Sequence, residues 1–241
     1  MAKIPDQPQD IFELLKHDSL GAYGNDLVSL MLYGSAAASA YVKGKTDINI
    51  LLVLTQEGIG RLDACLPLVK NWRKRNVAVP LLITKEFIAS SLDAYPIEFL
   101  NMKNNSILIY GENVLEPLSF KPDDLRLQIE RELKGKILWL REGYLASEGS
   151  ARQIRELIVR SLTAFVSIFN ALLYLKTGEA PHVRHETMKQ MAGGFGLDAS
   201  VFESCMMIKD GTDQFSGAEV VKVFKKYLQE AGKVCHQVDK R

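Results

Sequence analysis

Two short groups of residues in one stretch of the sequence have the types needed to handle phosphates and a metal ion. Gly34-Ser35 follows a short apolar run, and Asp47-Ile48-Asn49 opens the next one. A glycine lets a ligand approach the backbone closely, and a serine offers a hydroxyl. Side chains two residues apart on a strand share a face, so Asp47 and Asn49 would present two oxygen ligands together. Hard divalent cations such as Mg2+ take such ligands.

A second phosphate motif overlaps this stretch, because Gly44-Lys45-Thr46 matches the end of a P-loop. A P-loop also needs a glycine five residues before Gly44, where this chain has Ser39, and it needs a helix afterwards. The residues after Thr46 are instead a β-branched and leucine-rich strand pattern. The sequence therefore disfavours a P-loop and leaves Lys43 and Lys45, in the turn before Asp47, as candidate phosphate contacts.

Alternating strands and helices are predicted to position these residues in the first half of the chain. Apolar runs bounded by turn residues predict strands at 26–33, 47–54, 76–84, 95–103 and 107–111. Helical spacing and capping residues predict helices at 10–17, 35–41, 60–75 and 85–92. The fold class is therefore α/β (α+β), with a small mixed sheet and flanking helices.

The composition changes after this half. Residues 111–122 hold one glycine and two prolines and are typical of a linker. Helical apolar spacing then predicts helices at 123–145, 150–176, 184–192, 198–209 and 216–231. We expect two domains, an α/β domain over 1–115 and an all-α helical bundle over 116–241, both of ordinary domain size.

The order and spacing of these motifs resemble the nucleotidyltransferase superfamily that includes DNA polymerase beta and kanamycin nucleotidyltransferase. The resemblance is carried by Gly34-Ser35, by Gly44-Lys45-Thr46-Asp47-Ile48-Asn49 and by the apolar strand Ile50-Leu51-Leu52-Val53-Leu54. The family adds a third carboxylate on a later strand, for which Glu98 is the best candidate. The helical half is similar, in architecture only, to the substrate-binding or HEPN-type bundles that accompany such domains.

The resemblance implies transfer of a nucleoside monophosphate from a nucleoside triphosphate, such as ATP, to an unidentified small-molecule or macromolecular acceptor. It implies Mg2+ or Mn2+ as cofactor, with Asp47, Asn49 and Glu98 as the metal-binding and catalytic set. Asp47 would bridge the metals, and Glu98 would hold one or take the acceptor's proton. Gly34 and Ser35, with Lys43 and Lys45, would hold the phosphates.

Asn49 departs from the family pattern, which has a second aspartate there. An amide oxygen can bind a cation but brings no charge, and a unit charge pair about 4 Å apart is worth about 4 kcal/mol at an effective dielectric near 20. Three outcomes stay open: an enzyme with one firmly bound metal, a nucleotide-binding protein without turnover, or a catalytically inactive protein-interaction module.

Bulk properties narrow the remaining classes. A formal net charge of +1 over 241 residues gives no argument for nucleic-acid or membrane adsorption. The apolar segment 157–175 contains Arg160 and several polar residues, so we expect a buried bundle helix with no membrane partner. The cysteines are three, far apart and without a CxxC pair, which indicates a reducing, cytoplasmic compartment. A homodimer stays open.

Other candidate residues lie in the helical half. His182 and His185 form an HxxH pair without a carboxylate at matching spacing, so a surface pair is favoured over a metal site. Arg184 lacks the histidine four to six residues later that HEPN-type ribonucleases have. Arg152 and Arg155 could meet phosphates, although ion pairs with nearby glutamates are the simpler interpretation.

Overall fold

The computed structural model describes residues 3–38, 41–181 and 183–239. The chain divides into two compact units, Met1–Phe120 and Lys121–Arg241. The first unit contains a sheet with helices, and the second contains helices throughout its described residues. This agrees with the predicted fold class.

The first unit is built on a four-stranded mixed sheet. Its strands are β1 (Leu27–Tyr33), β2 (Asn49–Leu54), β3 (Leu81–Thr84) and β4 (Ser106–Gly111). The strand order is β3-β2-β1-β4. β1 pairs antiparallel with both β2 and β4, whereas β2 and β3 are parallel. The mixed sheet predicted from the sequence is therefore present.

Both faces of the sheet are covered by apolar side chains. Ile50 and Leu52 of β2 belong to one buried cluster, together with Trp72. Their neighbours Leu51 and Val53 belong to a second cluster on the other face. This alternation follows from the two-residue period of a strand. It explains why residues 50–54 form an uninterrupted apolar run.

Five α-helices accompany the sheet among the described residues of this unit. They are α1 (Phe12–Tyr23), α2 (Gln56–Ile59), α3 (Leu66–Trp72), α4 (Lys85–Ser91) and α5 (Pro96–Asn104). Thr84 caps α4, because its hydroxyl accepts a hydrogen bond from the Phe87 N–H at 3.1 Å. An N-cap of this kind satisfies a backbone donor that the helix leaves without an intrahelical partner.

The strand predicted at 95–103 is wrong, since these residues form α5. Pro96 occupies the first helical position, where its missing N–H costs nothing. Ile97, Phe99 and Leu100 are buried while Glu98 is exposed. Over three residues this in-out-in pattern is shared by a strand and a helix, so the local alternation was misleading.

Three other predicted elements are shorter than expected. The helix at 35–41 is a 3₁₀ turn over Gly34–Ala36, and its predicted residues 39 and 40 lie outside the described part of the chain. The helix at 60–75 is divided, with only Leu66–Trp72 as α-helix. The strand at 76–84 narrows to β3, because Pro80 has no N–H to donate to the sheet. The short 107–111 piece is a full strand, β4.

The second unit contains five helices among its described residues. They are α6 (Pro122–Ala146), α7 (Ala151–Thr177), α8 (Arg184–Phe195), α9 (Ala199–Asp210) and α10 (Gly217–Asp239). α7 packs against each of the other four and is their central helix. By length and composition alone α7 could span a membrane. Its buried side chains include Phe165 and Phe169 at 0% exposure, as expected for the core helix of a bundle.

Arg155 anchors α7 to the segment before α10. Its guanidinium donates to both carboxylate oxygens of Asp213 at 2.7 Å and to the Phe215 carbonyl at 2.7 Å. Arg152 instead pairs with Glu156 at 3.6 Å on the surface. Ion pairing was the simpler interpretation of these arginines, although the partner of Arg155 is distant in sequence.

Candidate functional site

The candidate site lies where one strand ends and its two neighbours begin. Tyr33, the last residue of β1, pairs with Asn49 on β2 and with Ser106 on β4. The chain leaves β1 at Gly34, so this corner stands between the first residues of the two adjacent strands. This pairing places Asn49 directly across from the residue that precedes Gly34.

Gly34 has a backbone conformation that favours glycine. Its φ is +79°, and a Cβ at this position would lie 3.3 Å from Nδ2 of Asn49. The Gly34 N–H donates to the Asn105 carbonyl at 2.9 Å, so it is already used within the protein. A side chain at position 34 would therefore both require an unfavourable backbone conformation and crowd the Asn49 amide.

Asp47 is exposed two residues before Asn49. Ile48, between them, is fully buried and forms an isolated parallel bridge with Val77. Asp47 and the partly exposed Asn49 thus lie on the opposite side of the chain from Ile48, as the two-residue alternation predicts. No hydrogen bond or ion pair of the Asp47 carboxylate is found among the described residues. A carboxylate in this state is available to an external cation.

Asn76 holds the backbone on both sides of Asp47. Its side-chain amide donates to the Thr46 carbonyl at 2.9 Å. Its own carbonyl accepts the Ile48 N–H at 3.0 Å. Asn76 has φ +63°, in the left-handed region that asparagine tolerates better than most residues. Asn76 was not among the residues predicted from the sequence, although an asparagine directly after a basic helix end is a known termination signal.

The two candidate phosphate lysines differ in their surroundings. The ammonium of Lys43 lies 2.5 Å from the Asp6 carboxylate. The lysine's hydrogen bond, followed by the charge of Lys3, lowers the pKa of Asp6. Lys45 is exposed, and no partner for its ammonium is found in the part of the chain that the structure describes. Lys45 is therefore the better placed of the two to meet an incoming anion.

Ser35 is exposed within the 3₁₀ turn that follows β1. It does not cap that turn, because the N-cap residue is Tyr33 and no side-chain capping bond forms. Its hydroxyl makes no hydrogen bond among the described residues. The hydroxyl is therefore open to a ligand at the corner.

Glu98 is exposed on the first turn of α5 and not on a strand. Asn105, which follows the helix, bonds to Gly34. Seven residues separate Glu98 from Asn105, which is about 10 Å along a helix axis. The strand geometry that suggested Glu98 as a metal ligand is thus absent.

The acidic groups around the corner are few. Within residues 3–38, 41–181 and 183–239, no group of three or more His, Cys, Asp or Glu could hold a metal ion. Residues 76–84, which run beside β2, contain no carboxylate. The corner thus offers one carboxylate, Asp47, and one amide, Asn49. Mg2+ is often bound through one or two carboxylates together with substrate phosphates, and this set fits a cation of that kind.

His185 lies at a cavity inside the helical unit. The cavity, of about 430 Å3, lies between α8 and α9, and its lining includes Met188, Met206 and Glu203. His185 Nδ1 is 3.3 Å from the Met206 sulfur. Arg184 pairs with Asp210 at 3.4 Å. His182, the other member of the predicted pair, lies outside the described residues.

Comparison with known proteins supports the fold. The chain is similar in structure to spectinomycin adenyltransferase AAD(9) from Enterococcus faecialis, solved with ATP and spectinomycin. The TM-score is 0.52 at 12% sequence identity, covering 92% of this chain and 99% of that one. No family profile matches the sequence, and no curated protein matches it. The chain therefore has a nucleotidyltransferase-like fold followed by helices.

Proposed function

We propose that the protein binds a nucleoside triphosphate at the Gly34–Ser35 corner and transfers its nucleoside monophosphate to an acceptor. The observation that carries this proposal is the pairing of Tyr33 with Asn49, which places Asn49 beside the strand end that leads into Gly34, with the exposed Asp47 two residues away. The similarity in fold to an adenyltransferase solved with ATP supports the choice of reaction class and of ATP as the first nucleotide to test.

The residues at the corner would each contact a different part of the nucleotide and its cation. Asp47 and the oxygen of Asn49 would hold Mg2+ or Mn2+ that arrives on the phosphates. Ser35 would donate its hydroxyl to a phosphate oxygen, and Lys45 would add a positive charge from the preceding turn. When bound, the cation neutralises charge on the phosphates and on the departing pyrophosphate.

The reaction would be a displacement at the α-phosphorus. An acceptor hydroxyl oxygen forms a bond to that phosphorus, and the bond from it to the bridging oxygen of the β-phosphate breaks. Pyrophosphate departs, and the hydroxyl proton passes to water or to a nearby carboxylate. The protein's own contribution is orientation and charge, which can supply much of the catalysis in phosphoryl chemistry.

The test uses the full chain with α-labelled ATP, GTP, CTP and UTP, with Mg2+ or Mn2+, and with spectinomycin as the first acceptor. Pyrophosphate release, with label transferred to the acceptor or to the protein, would support the transferase. A nucleotide-dependent rise in melting temperature without release would restrict the function to binding. The matched control is Asp47→Asn, which keeps the side-chain shape and removes its charge.

Failure would be unambiguous. If no nucleotide raises the melting temperature in either metal, and no pyrophosphate appears, the proposed function is wrong. If Asp47→Asn leaves the nucleotide affinity unchanged, the nucleotide binds somewhere other than this corner.

A further inference from the structure

Three exposed leucines lie along α6 in the helical unit. Leu127, Leu138 and Leu145 are 61%, 57% and 76% exposed. At 100° per residue these three positions fall within about 20° of one another around the helix. They span about 27 Å at a rise of about 1.5 Å per residue. They therefore form one straight line on the outer surface of the helix.

Basic residues occupy the gaps in this line. Arg131, Lys134 and Arg141 are exposed and lie within about 60° of each of the leucines. Together the six positions are spaced by alternating four and three residues, the spacing of one seam of a coiled coil. We call this set the α6 stripe: Leu127, Arg131, Lys134, Leu138, Arg141 and Leu145.

The α6 stripe is separate from the side of α6 that packs within its own bundle. Leu125, Ile129, Leu133 and Leu140 are almost fully buried and project on the other side of the helix. α6 thus has two apolar sides, and only one is used in the bundle. A helix that needed only to cover the core would not require the second side to carry leucines.

The charges of the α6 stripe are only partly neutralised within the protein. Lys134 lies 2.6 Å from Glu130 and 3.0 Å from Asp239, and these hydrogen bonds raise its pKa. No ion pair of Arg131 or Arg141 is found in the described part of the chain. Two arginines of the stripe therefore lie between its leucines and have no acidic partner among the described residues.

We propose that the α6 stripe docks an acidic amphipathic helix of another protein. A partner helix with leucines and glutamates alternating along one side would cover the three leucines and pair with both arginines. Complementary charge at such a seam selects the partner and its orientation.

A second copy of the chain fits this surface poorly. Antiparallel pairing of two α6 stripes centred between Lys134 and Leu138 would place Arg131 against Arg141 of the other copy, and parallel pairing would place each arginine against itself. Like charges face one another in both cases. A lipid surface also fits poorly, because helices at a membrane interface carry their basic residues on the polar face and leave the apolar face without charges. Here they interrupt it.

The test uses the full chain and two synthetic helical peptides of about three heptads. One peptide carries leucine and glutamate along a single side, and the other carries lysine in place of glutamate. We expect the acidic peptide to bind, with affinity falling as salt rises, and the basic peptide to bind at least about tenfold more weakly. The Arg131→Glu/Arg141→Glu double variant should reverse this preference.

Two variants, each replacing a leucine of similar exposure, distinguish specific binding at the α6 stripe from non-specific hydrophobic binding. Leu138→Asn should weaken the acidic peptide by about tenfold or more, as loss of a central apolar contact does. Leu66→Asn, at a 63% exposed leucine of α3, should leave binding unchanged. The proposal is overturned if both peptides bind alike, or if wild-type chain dimerises through Leu138 in light scattering. The proposal is also overturned if the chain binds neither peptide but binds anionic phosphatidylserine vesicles, and if Leu138→Asn abolishes that vesicle binding.

Discussion

Asn76 holds Asp47 in place without touching its carboxylate. The Asn76 amide donates to the carbonyl just before Asp47, and the Asn76 carbonyl accepts the N–H just after it. The peptide bonds on both sides of Asp47 are therefore fixed to one residue of a different segment. If Asp47 binds the cation on a nucleotide, Asn76 reduces the ordering that binding must impose on this turn.

Replacing Asn76 should separate backbone conformation from side-chain contact. Asn76→Gly keeps the left-handed conformation and loses the bond to Thr46, so we expect a loss of about 1 kcal/mol in the free energy of unfolding. Asn76→Ala loses the same bond and adds a strain of about 1 kcal/mol at φ +63°. Urea denaturation measures both. Equal stabilities for the two variants would show that the left-handed conformation carries no cost here.

Replacing Gly34 tests whether its backbone conformation matters for both stability and ATP binding. Gly34→Ala should destabilise the protein by about 1–2 kcal/mol, because Cβ meets an unfavourable φ of +79° and crowds the Asn49 amide. Gly44→Ala is the matched control, with φ +74° and no atom within 4 Å of its Cβ. It should show the backbone strain alone. Only Gly34→Ala should also weaken ATP binding, as followed by calorimetry with Mg2+.

Asn49 determines how much charge the corner offers a cation. We predict that Asn49→Asp tightens the binding of Mg2+ with a non-hydrolysable ATP analogue, because a second carboxylate joins Asp47. Without metal, the two carboxylates repel, so the variant should be less stable than wild type and should recover on adding Mg2+. Isothermal titration calorimetry and thermal unfolding check both parts. Affinity that does not change would mean that residue 49 faces away from the cation.

The Arg155–Asp213 pair should make the helical unit sensitive to acid. Burial would raise the pKa of Asp213, but the hydrogen bonds from Arg155 and from the Phe215 N–H outweigh it and leave this pKa below its usual 3.8. A lowered folded-state pKa stabilises the fold above the unfolded value, and this contribution is lost as the pH falls through the folded value. We expect the loss to occur below about pH 4.

The matched variants for this pair are Arg155→Gln and Arg152→Gln. The first should reduce the free energy of unfolding at pH 7 by about 2 kcal/mol, because Asp213 is left without its charged partner. It should also flatten the acid dependence. The second removes an exposed pair and should have little effect. If Arg152→Gln proves as costly as Arg155→Gln, burial of Asp213 is not the deciding factor. Chemical denaturation across a pH series provides the data.

Local patterns in the sequence predicted the parts of the site that local interactions create. The apolar run from Ile50 to Leu54 predicted strand β2, and the apolar run that ends at Gly34 predicted strand β1. Asp47 and Asn49 were predicted to share a face from the two-residue period of a strand. All three predictions depend on short-range periodicity or on a single residue's backbone preference.

Other parts depend on contacts that no local pattern contains. The bond from Asn76 to Thr46 joins residues 30 apart in sequence, and Arg155 reaches Asp213 across 58. Glu98 was placed on a strand because three alternating residues cannot distinguish a strand from the start of a helix. The proline before it, at the first helical position, was the better guide.

The most direct measurement is a crystal structure of the full chain with a non-hydrolysable ATP analogue and Mn2+, with the metal located by its anomalous scattering. We predict one manganese ion bound by the Asp47 carboxylate and the Asn49 oxygen, with the phosphates against Gly34 and Ser35. A nucleotide bound elsewhere on the chain, or a metal ion that Asp47 does not ligate, would contradict the account.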